Sequence, residues 1–280
     1  MLRQRIITAL VLLAVLLPAV FSSLTWPFAL LSLLMMGAAG WEWGRLNGLK
    51  PRFALLMGFA LALVGLLVWS TGWAAGVPDW LWFVSAMLWV TGGAFTLYGG
   101  VKQWPRWPAV LRLLGGLVAL CLAWLAMMGA KSLGLNFLLS VLCLVWMADV
   151  AAYFGGRQFG VRKLAPSISP GKSWAGVYSG ILGVLLLAVF WLWLDRRFEV
   201  DSPSIFSAVF RSGGSTGLLV AVLLLCAMSV VGDLVESLVK RSAGAKDSSQ
   251  LLPGHGGVLD RIDALIPVFP VALAIQQLSL

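Results

Sequence analysis

The chain has 280 residues, 60% of them hydrophobic and only 11% charged, with a mean hydropathy of +0.95. Water-soluble domains carry about 25% charged residues, so this composition excludes one and predicts an all-α polytopic membrane protein. The net charge of +9 does not point to nucleic acid, because the basic residues fall in short segments between apolar runs, as the positive-inside rule and anionic lipids produce.

The first residues, MLRQRIITALVLLAVLLPAV, have the basic start and apolar stretch of a secretory signal, which reads equally as a first transmembrane helix. Apolar runs near the roughly 20 residues that a crossing helix needs lie at 6–22, 25–44, 53–73, 80–98, 109–130, 135–155, 174–194, 216–236 and 262–280. Nine spans with a cytoplasmic N-terminus put sixteen of the twenty basic residues inside, leaving only Lys131, Arg196, Arg197 and Arg211 outside, together with the C-terminus. Trp26, Trp41, Trp43, Trp73, Trp80, Trp104, Trp107 and Trp174 fall near span ends, where indoles favour the headgroup region. Cys121, Cys143 and Cys226 form no CxxC pair and sit in apolar runs, which predicts core filling. The connection at 195–215 reads as a solvated loop of modest importance. No repeat or separate soluble unit interrupts the chain, so 1–280 is expected to be one membrane domain, with N-terminal helices over 1–130 and catalytic helices and loops over 131–280.

Charge that is scarce elsewhere is concentrated at 229–263, which holds five of the eleven acidic residues, the basic Lys240, Arg241, Lys246 and Arg261, and the only histidine. A carboxylate near lipid costs several kcal/mol unless it is paired, metal-bound or facing water, so this stretch is the expected functional site. In GDLVESLVKR, Asp233, Glu236 and Lys240 share one helical face; Glu236 and Lys240 also read as a simple i, i+4 ion pair. Asp260 and Asp263 open the last span at i, i+3, where the helix dipole alone accounts for one acid but less well for two. Paired carboxylates suit Mg²⁺, which takes one or two of them and completes its shell with water and phosphate, so Asp233, Asp260 and Asp263 are the expected metal ligands. Between them, PGHGG at 253–257 is either a plain turn or a backbone that approaches phosphate, with Lys246 and Arg261 as cations. His255 reads equally as a structural hydrogen-bonder or an acid–base group. Asp149, an intramembrane acid, stands one turn before Tyr153. The following loop carries Gly171, Lys172 and Ser173, but Pro166 stands where a P-loop needs its first glycine, so Lys172 is a point-charge phosphate ligand or an ordinary positive-inside lysine.

Residues 237–263 resemble, position for position, the signature of phosphatidate cytidylyltransferases (CDP-diacylglycerol synthases): S-x-apolar-K-R, four residues, K-D-x-small, two residues, apolar-P-x-H-G-G-apolar-x-D-R-apolar-D. DVAAYFGGRQFG and SISPGKSWAG resemble the family's upstream pattern, whereas 1–130 is similar only in hydropathy. The resemblance implies a bacterial-type inner-membrane enzyme, its site on the cytoplasmic side, that joins CTP to phosphatidic acid with Mg²⁺. It implies catalytic roles for Asp233, Asp260, Lys240, Lys246, Asp247 and Arg261. Substrate contacts are implied for Lys172, Ser173, Asp149, Tyr153, Glu236, His255, Gly256 and Gly257. CTP, phosphatidic acid and membrane lipids are the implied partners, with a homodimer as a further candidate. Two other classes compete: a CTP-dependent lipid-alcohol kinase, which would release CDP, and a cation transporter using Asp149, Asp233 and Asp260. The one-sided charge and the complete signature favour the cytidylyltransferase.

Overall fold

In hydrocarbon no water satisfies backbone N–H and C=O groups, so apolar spans become helices that satisfy their own. The computed structural model describes residues 2–279; Met1 and Leu280 lie outside the described residues, as do the side chains of 1–6, 9 and 75, including those of Arg3 and Arg5 on which the N-terminal orientation rests. The helices are α1 (Leu2–Phe21), α2 (Trp26–Leu46), α3 (Pro51–Ser70), α4 (Trp80–Gln103), α5 (Ala109–Leu133), α6 (Leu135–Phe159), α7 (Trp174–Arg197), α8 (Ile205–Ser242), α9 (Leu259–Ile262) and α10 (Leu265–Leu278), with one hairpin of β1 (Lys163–Ala165) and β2 (Ser169–Ser173) before α7. Proline at the first turn starts α2 and α3, and the Ser173 and Ser204 hydroxyls cap α7 and α8 by accepting from Gly176 N (3.2 Å) and Ser207 N (3.1 Å).

Small residues let the helices close. A Cβ on Gly58 of α3 would collide with the Gly37 carbonyl of α2, and Cβ atoms on Gly176 and Gly180 of α7 would come to 3.0 Å from the carbonyls of Ala152 and Ala148 on α6.

Among the described residues, six helices are long and apolar enough to cross a bilayer: α3, α4 with its 3₁₀ extension to Arg106, α5, α6, α7 and α8. The multi-pass all-helical architecture is therefore present, and the expected ninth span differs in kind. It is split into the single turn of α9 and the 14-residue α10, about 21 Å long against a core of roughly 30 Å. Residues 265–274 of α10 are all buried, packed by α4, α5, α6 and α8, so this helix is enclosed by protein. The connection at 195–215 also departs from expectation. Ile205, Phe206 and Val209 are buried in a first segment of α8 that bends at Gly214 (φ 57°), where only glycine is comfortable. Two tryptophans expected at the headgroups are instead interior: Trp43 and Trp104 are buried and donate to Arg112 O (3.0 Å) and Asn47 Oδ1 (3.1 Å).

The connections sort into two ends. At one, Asn47 meets Trp104, Arg241 Nε donates to Ile168 O in the hairpin turn (3.3 Å), and Thr8 Oγ1 of α1 donates to Pro253 O (2.9 Å). At the other, Lys131 donates to Ser22 O (3.1 Å), and the segment after α7 binds the start of α6.

Candidate active site

A cavity of about 640 Å³ opens between α6, the hairpin, α7 and α8 at the first of these ends. α6 supplies Asp149, Tyr153 and Arg157; the hairpin supplies Lys172 and Ser173; α8 supplies Asp233. The stretch expected to be a loop is an antiparallel hairpin, with Lys163 opposite Ser173, Ala165 opposite Ser169, and Ile168 buried in its turn. Lys172 thus rides on a strand that ends directly in the α7 cap, and its ammonium lies 2.6 Å from Asp233 Oδ2. Asp233, which has no basic residue within a helical turn, finds one across the cavity; its Oδ1 accepts from Ser237 Oγ (3.2 Å).

Asp263 stands beside this pair. Gly232 has no side chain, and a Cβ there would strike the Asp263 carbonyl, so α8 and the break between α9 and α10 come into backbone contact. Asp263 therefore lies in the field of Asp233, Lys172 and Lys240. Its Oδ1 accepts from Ala264 N (2.8 Å).

A second, more buried cluster supports the first. Lys240 Nζ lies 2.5 Å from both Glu236 Oε2 and Asp260 Oδ1, so the face expected to carry Asp233, Glu236 and Lys240 together is divided: Asp233 turns to the cavity and the other two to Asp260. Asp260 Oδ2 accepts from Ser248 N (2.9 Å), Ser248 Oγ (2.8 Å) and Gly257 N (2.7 Å). Burial alone would raise the Asp260 pKa, but Lys240 and the Gly257 and Ser248 amides outweigh it and hold the carboxyl at about 2. PGHGG is a tight turn closed by a Leu252–Gly256 bridge, with Gly254 (φ 77°) and Gly256 (φ 82°) in the left-handed region. Arg261 is exposed and donates to the His255 carbonyl (2.7 and 3.1 Å), while His255 Nδ1 is buried without a hydrogen-bond partner among the described residues.

The expected site residues thus fall into three groups. Asp149, Tyr153, Lys172, Ser173 and Asp233 line the cavity, with Asp263 against Asp233. Glu236, Lys240, Asp260, Gly256 and Gly257 form a buried cluster of their own, with His255 in the same turn, and none of them lines the cavity. Lys246, Asp247 and Arg261 are exposed at the loop surface and do not line the cavity. Asp233 and Asp260, expected to meet, engage different partners in this structure: Lys172 and Ser237 for the first, Lys240, Ser248 and Gly257 for the second. Sequence reasoning missed Glu42 altogether. This α2 carboxylate is fully buried and accepts from Ser248, Ser249, Val258 and Leu259. Its signal was a lone acid in an apolar span, WEWGRL, the same signal that marked Asp149.

The similarity extends beyond the loops. A phosphatidate cytidylyltransferase of Pseudomonas aeruginosa is 38% identical over 282 residues, spanning 98% of this chain and 97% of that protein. One from Haemophilus influenzae is 36% identical across 96% of each chain, and one from Thermotoga maritima is 40% identical over 140 residues, about half of each. Residues 3–279 match the profile of the Cytidylyltransferase family, and with the match spanning nearly the whole chain, the protein belongs to that family.

Proposed function

We infer that the protein transfers the cytidylyl group of CTP to phosphatidic acid, giving CDP-diacylglycerol and pyrophosphate. The observation that carries this reading is the cavity itself: a space of about 640 Å³ with carboxylates and a strand-borne lysine, walled by helices whose outer faces are apolar. A triphosphate and a lipid headgroup need that combination of charge and access to lipid. The phosphatidate phosphate attacks the α-phosphorus in line, a new P–O bond forms, and the bond to pyrophosphate breaks. The nucleophile is already an anion at neutral pH, so no side chain has to remove a proton. Lys172 is placed to leave Asp233 for a phosphate oxygen, and Arg157, also on the cavity wall, adds a second cation.

Mg²⁺ fits Asp233 and Asp263, hard-oxygen donors in each other's field beside the cavity. Asp260 fits as a direct ligand only if it gives up protein donors, since both its oxygens are engaged. Among the described residues no three carboxylate, histidine or cysteine side chains already converge as a cage, which suits an ion that takes most of its shell from water and phosphate. When bound, Mg²⁺ neutralises charge on the transferring group and the departing pyrophosphate.

In our reading the catalytic end faces the cytoplasm across a bacterial inner membrane, with nine helical passes in which α10 is the short, protein-enclosed one. The concentration of basic residues in the connections at that end supports it. A cysteine at exposed Gln250 should then resist an impermeant reagent in sealed right-side-out vesicles, and rapid labelling there would reverse the orientation.

The activity is tested with purified protein, Mg²⁺, phosphatidic acid and CTP labelled in its base. Cytidine label in the lipid fraction with release of pyrophosphate is expected. Release of CDP with an unlabelled phospholipid would make the protein a lipid kinase instead.

A further inference from the structure

The catalytic loop is not held only by the helices that flank it. Glu42 arrives from α2, more than two hundred residues away in sequence, and is 0% exposed. Its Oε1 accepts from Ser249 Oγ (2.5 Å) and Val258 N (3.0 Å), and its Oε2 from Leu259 N (2.7 Å) and Ser248 Oγ (3.1 Å). Oε1 thus takes two donors, and Oε2 takes one backbone amide and a share of the Ser248 hydroxyl, all from the segment 248–259. Ser248 is shared: the hydroxyl that meets Glu42 also lies 2.8 Å from Asp260 Oδ2. From Asp260 the contacts run on through Lys240 to Glu236. Gly257 completes the fit, since a Cβ there would collide with Glu42 Oε1 and Ser248 Oγ.

We propose that Glu42 is a positioning residue of the reaction: its buried carboxylate clamps the 248–259 loop from the N-terminal half of the protein and so sets the placement of Asp260, Arg261 and Asp263 against the cavity. This rests on the cytidylyltransferase reading above. A buried carboxylate is costly unless donors surround it, and here every donor belongs to the loop that leads into Asp260 and Asp263. A structural anchor would serve as well anywhere along α2; this one sits where the loop turns into α9. Displacement of catalytic groups by about 1 Å costs on the order of a hundredfold in rate, so loosening the clamp should act on turnover before it acts on folding.

Glu42→Gln keeps the size but turns an amide NH₂ toward the backbone N–H of Val258 or Leu259, so one of these fixed bonds is lost whichever way the amide lies. With wild-type enzyme measured alongside, the expected result is a fall in kcat of about tenfold to a hundredfold and a KM for CTP within about twofold. Amide hydrogen exchange should quicken in 248–259 alone and stay unchanged in peptides of α6 and α7. Glu42→Asp, which retains both acceptor oxygens, should recover part of the turnover. Wild-type kcat and exchange in Glu42→Gln would overturn the proposal. So would activity lost in proportion to folded protein with faster exchange throughout, which would make Glu42 a scaffold residue only. If Glu42→Gln does not fold, Ser249→Ala and Gly257→Ala attack the same clamp from the loop side, and normal turnover in both would sink it. Absence of cytidylyl transfer by the wild type would instead remove the functional reading, while the exchange comparison still decides whether Glu42 holds the loop.

Discussion

The two ends of the molecule use the same chemistry to opposite effect. At the end away from the cavity, Asp195 accepts from Asn136 Nδ2 (2.9 Å) through Oδ1 and from Ser204 N, Ser204 Oγ and Ser207 Oγ through Oδ2. Beside it, Asp201 accepts from the Leu135 and Asn136 amides; burial works to raise its pKa, and these amides outweigh that and leave it below the usual carboxylate range. Asn136 passes the network on to the buried indole of Trp191 (2.9 Å). Every carboxylate oxygen named there is engaged by groups fixed in the backbone or by short side chains, and the result is a clasp between α6, α7 and α8. At the cavity end Asp233 is instead paired with one long lysine through Oδ2 and with Ser237 alone through Oδ1, and Asp149 faces the same space with no hydrogen bond or salt bridge among the described residues. Saturated carboxylates hold helices together; those with a replaceable partner are available to substrate. Asp260 and Glu42 stand between these cases, saturated but by the catalytic loop itself.

The largest expected effect comes from removing charge at the open end. Asp233→Asn should lower kcat by about a hundredfold or more, on the scale of losing a group that stabilises transferring charge, while yield and melting temperature stay near wild type. Lys172→Ala should follow, with kcat/KM for CTP down by about tenfold to a hundredfold and only partial recovery in Lys172→Arg, since a planar guanidinium does not reproduce a point charge. Wild-type CTP kinetics in the alanine variant would take Lys172 out of the site.

At the other end the pattern should invert. Asp195→Asn leaves fixed donors facing an amide, so it should cost about 1–3 kcal/mol of stability, visible as a lower melting temperature, with turnover per folded molecule unchanged. A turnover loss as large as that of Asp233→Asn would erase the distinction between clasp and site.

The smallest effect is on acid tolerance. Because the folded Asp260 carboxyl is depressed to about 2, below an unfolded value of about 3.9, its stabilising contribution is complete above about pH 4 and is lost as pH falls toward 2. Asp260 should therefore add no pH dependence between 5 and 8. A wild-type stability step in that range that disappears in Asp260→Asn would contradict the hydrogen-bonding described for it.

Much of the site was legible because charge in an apolar chain is expensive and therefore informative. Asp149 and Asp233 were singled out by that rule and Lys172 by its place in the Gly171–Ser173 loop, and the structure gathers all three around one cavity. What stayed hidden needed partners far apart in sequence. The Lys172–Asp233 pair joins a hairpin to α8, and neither local spacing nor helical periodicity speaks to it. Glu42 carried the same signal as Asp149, but all its partners lie in 248–259, beyond the reach of any local pattern. The last span misled for a different reason: an apolar run reads the same whether lipid or protein surrounds it, and only the packing of α10 by four other helices separates the two. The hairpin at 163–173 went unseen because three- and five-residue strands carrying Pro170 and Gly171 leave almost no alternation to read.

The central claim is that CTP binds in the cavity bordered by Lys172 and Asp233. Ser169 lies on its wall, and cysteine is near-isosteric with it. With Cys121, Cys143 and Cys226 replaced by alanine, the rate at which a thiol reagent modifies Ser169→Cys can be followed with and without CTP and Mg²⁺. The account predicts that CTP with Mg²⁺ slows modification several-fold and that Asp233→Asn abolishes the protection. Equal rates with and without saturating CTP, in an enzyme that still transfers cytidylyl groups, would place the nucleotide elsewhere and contradict it.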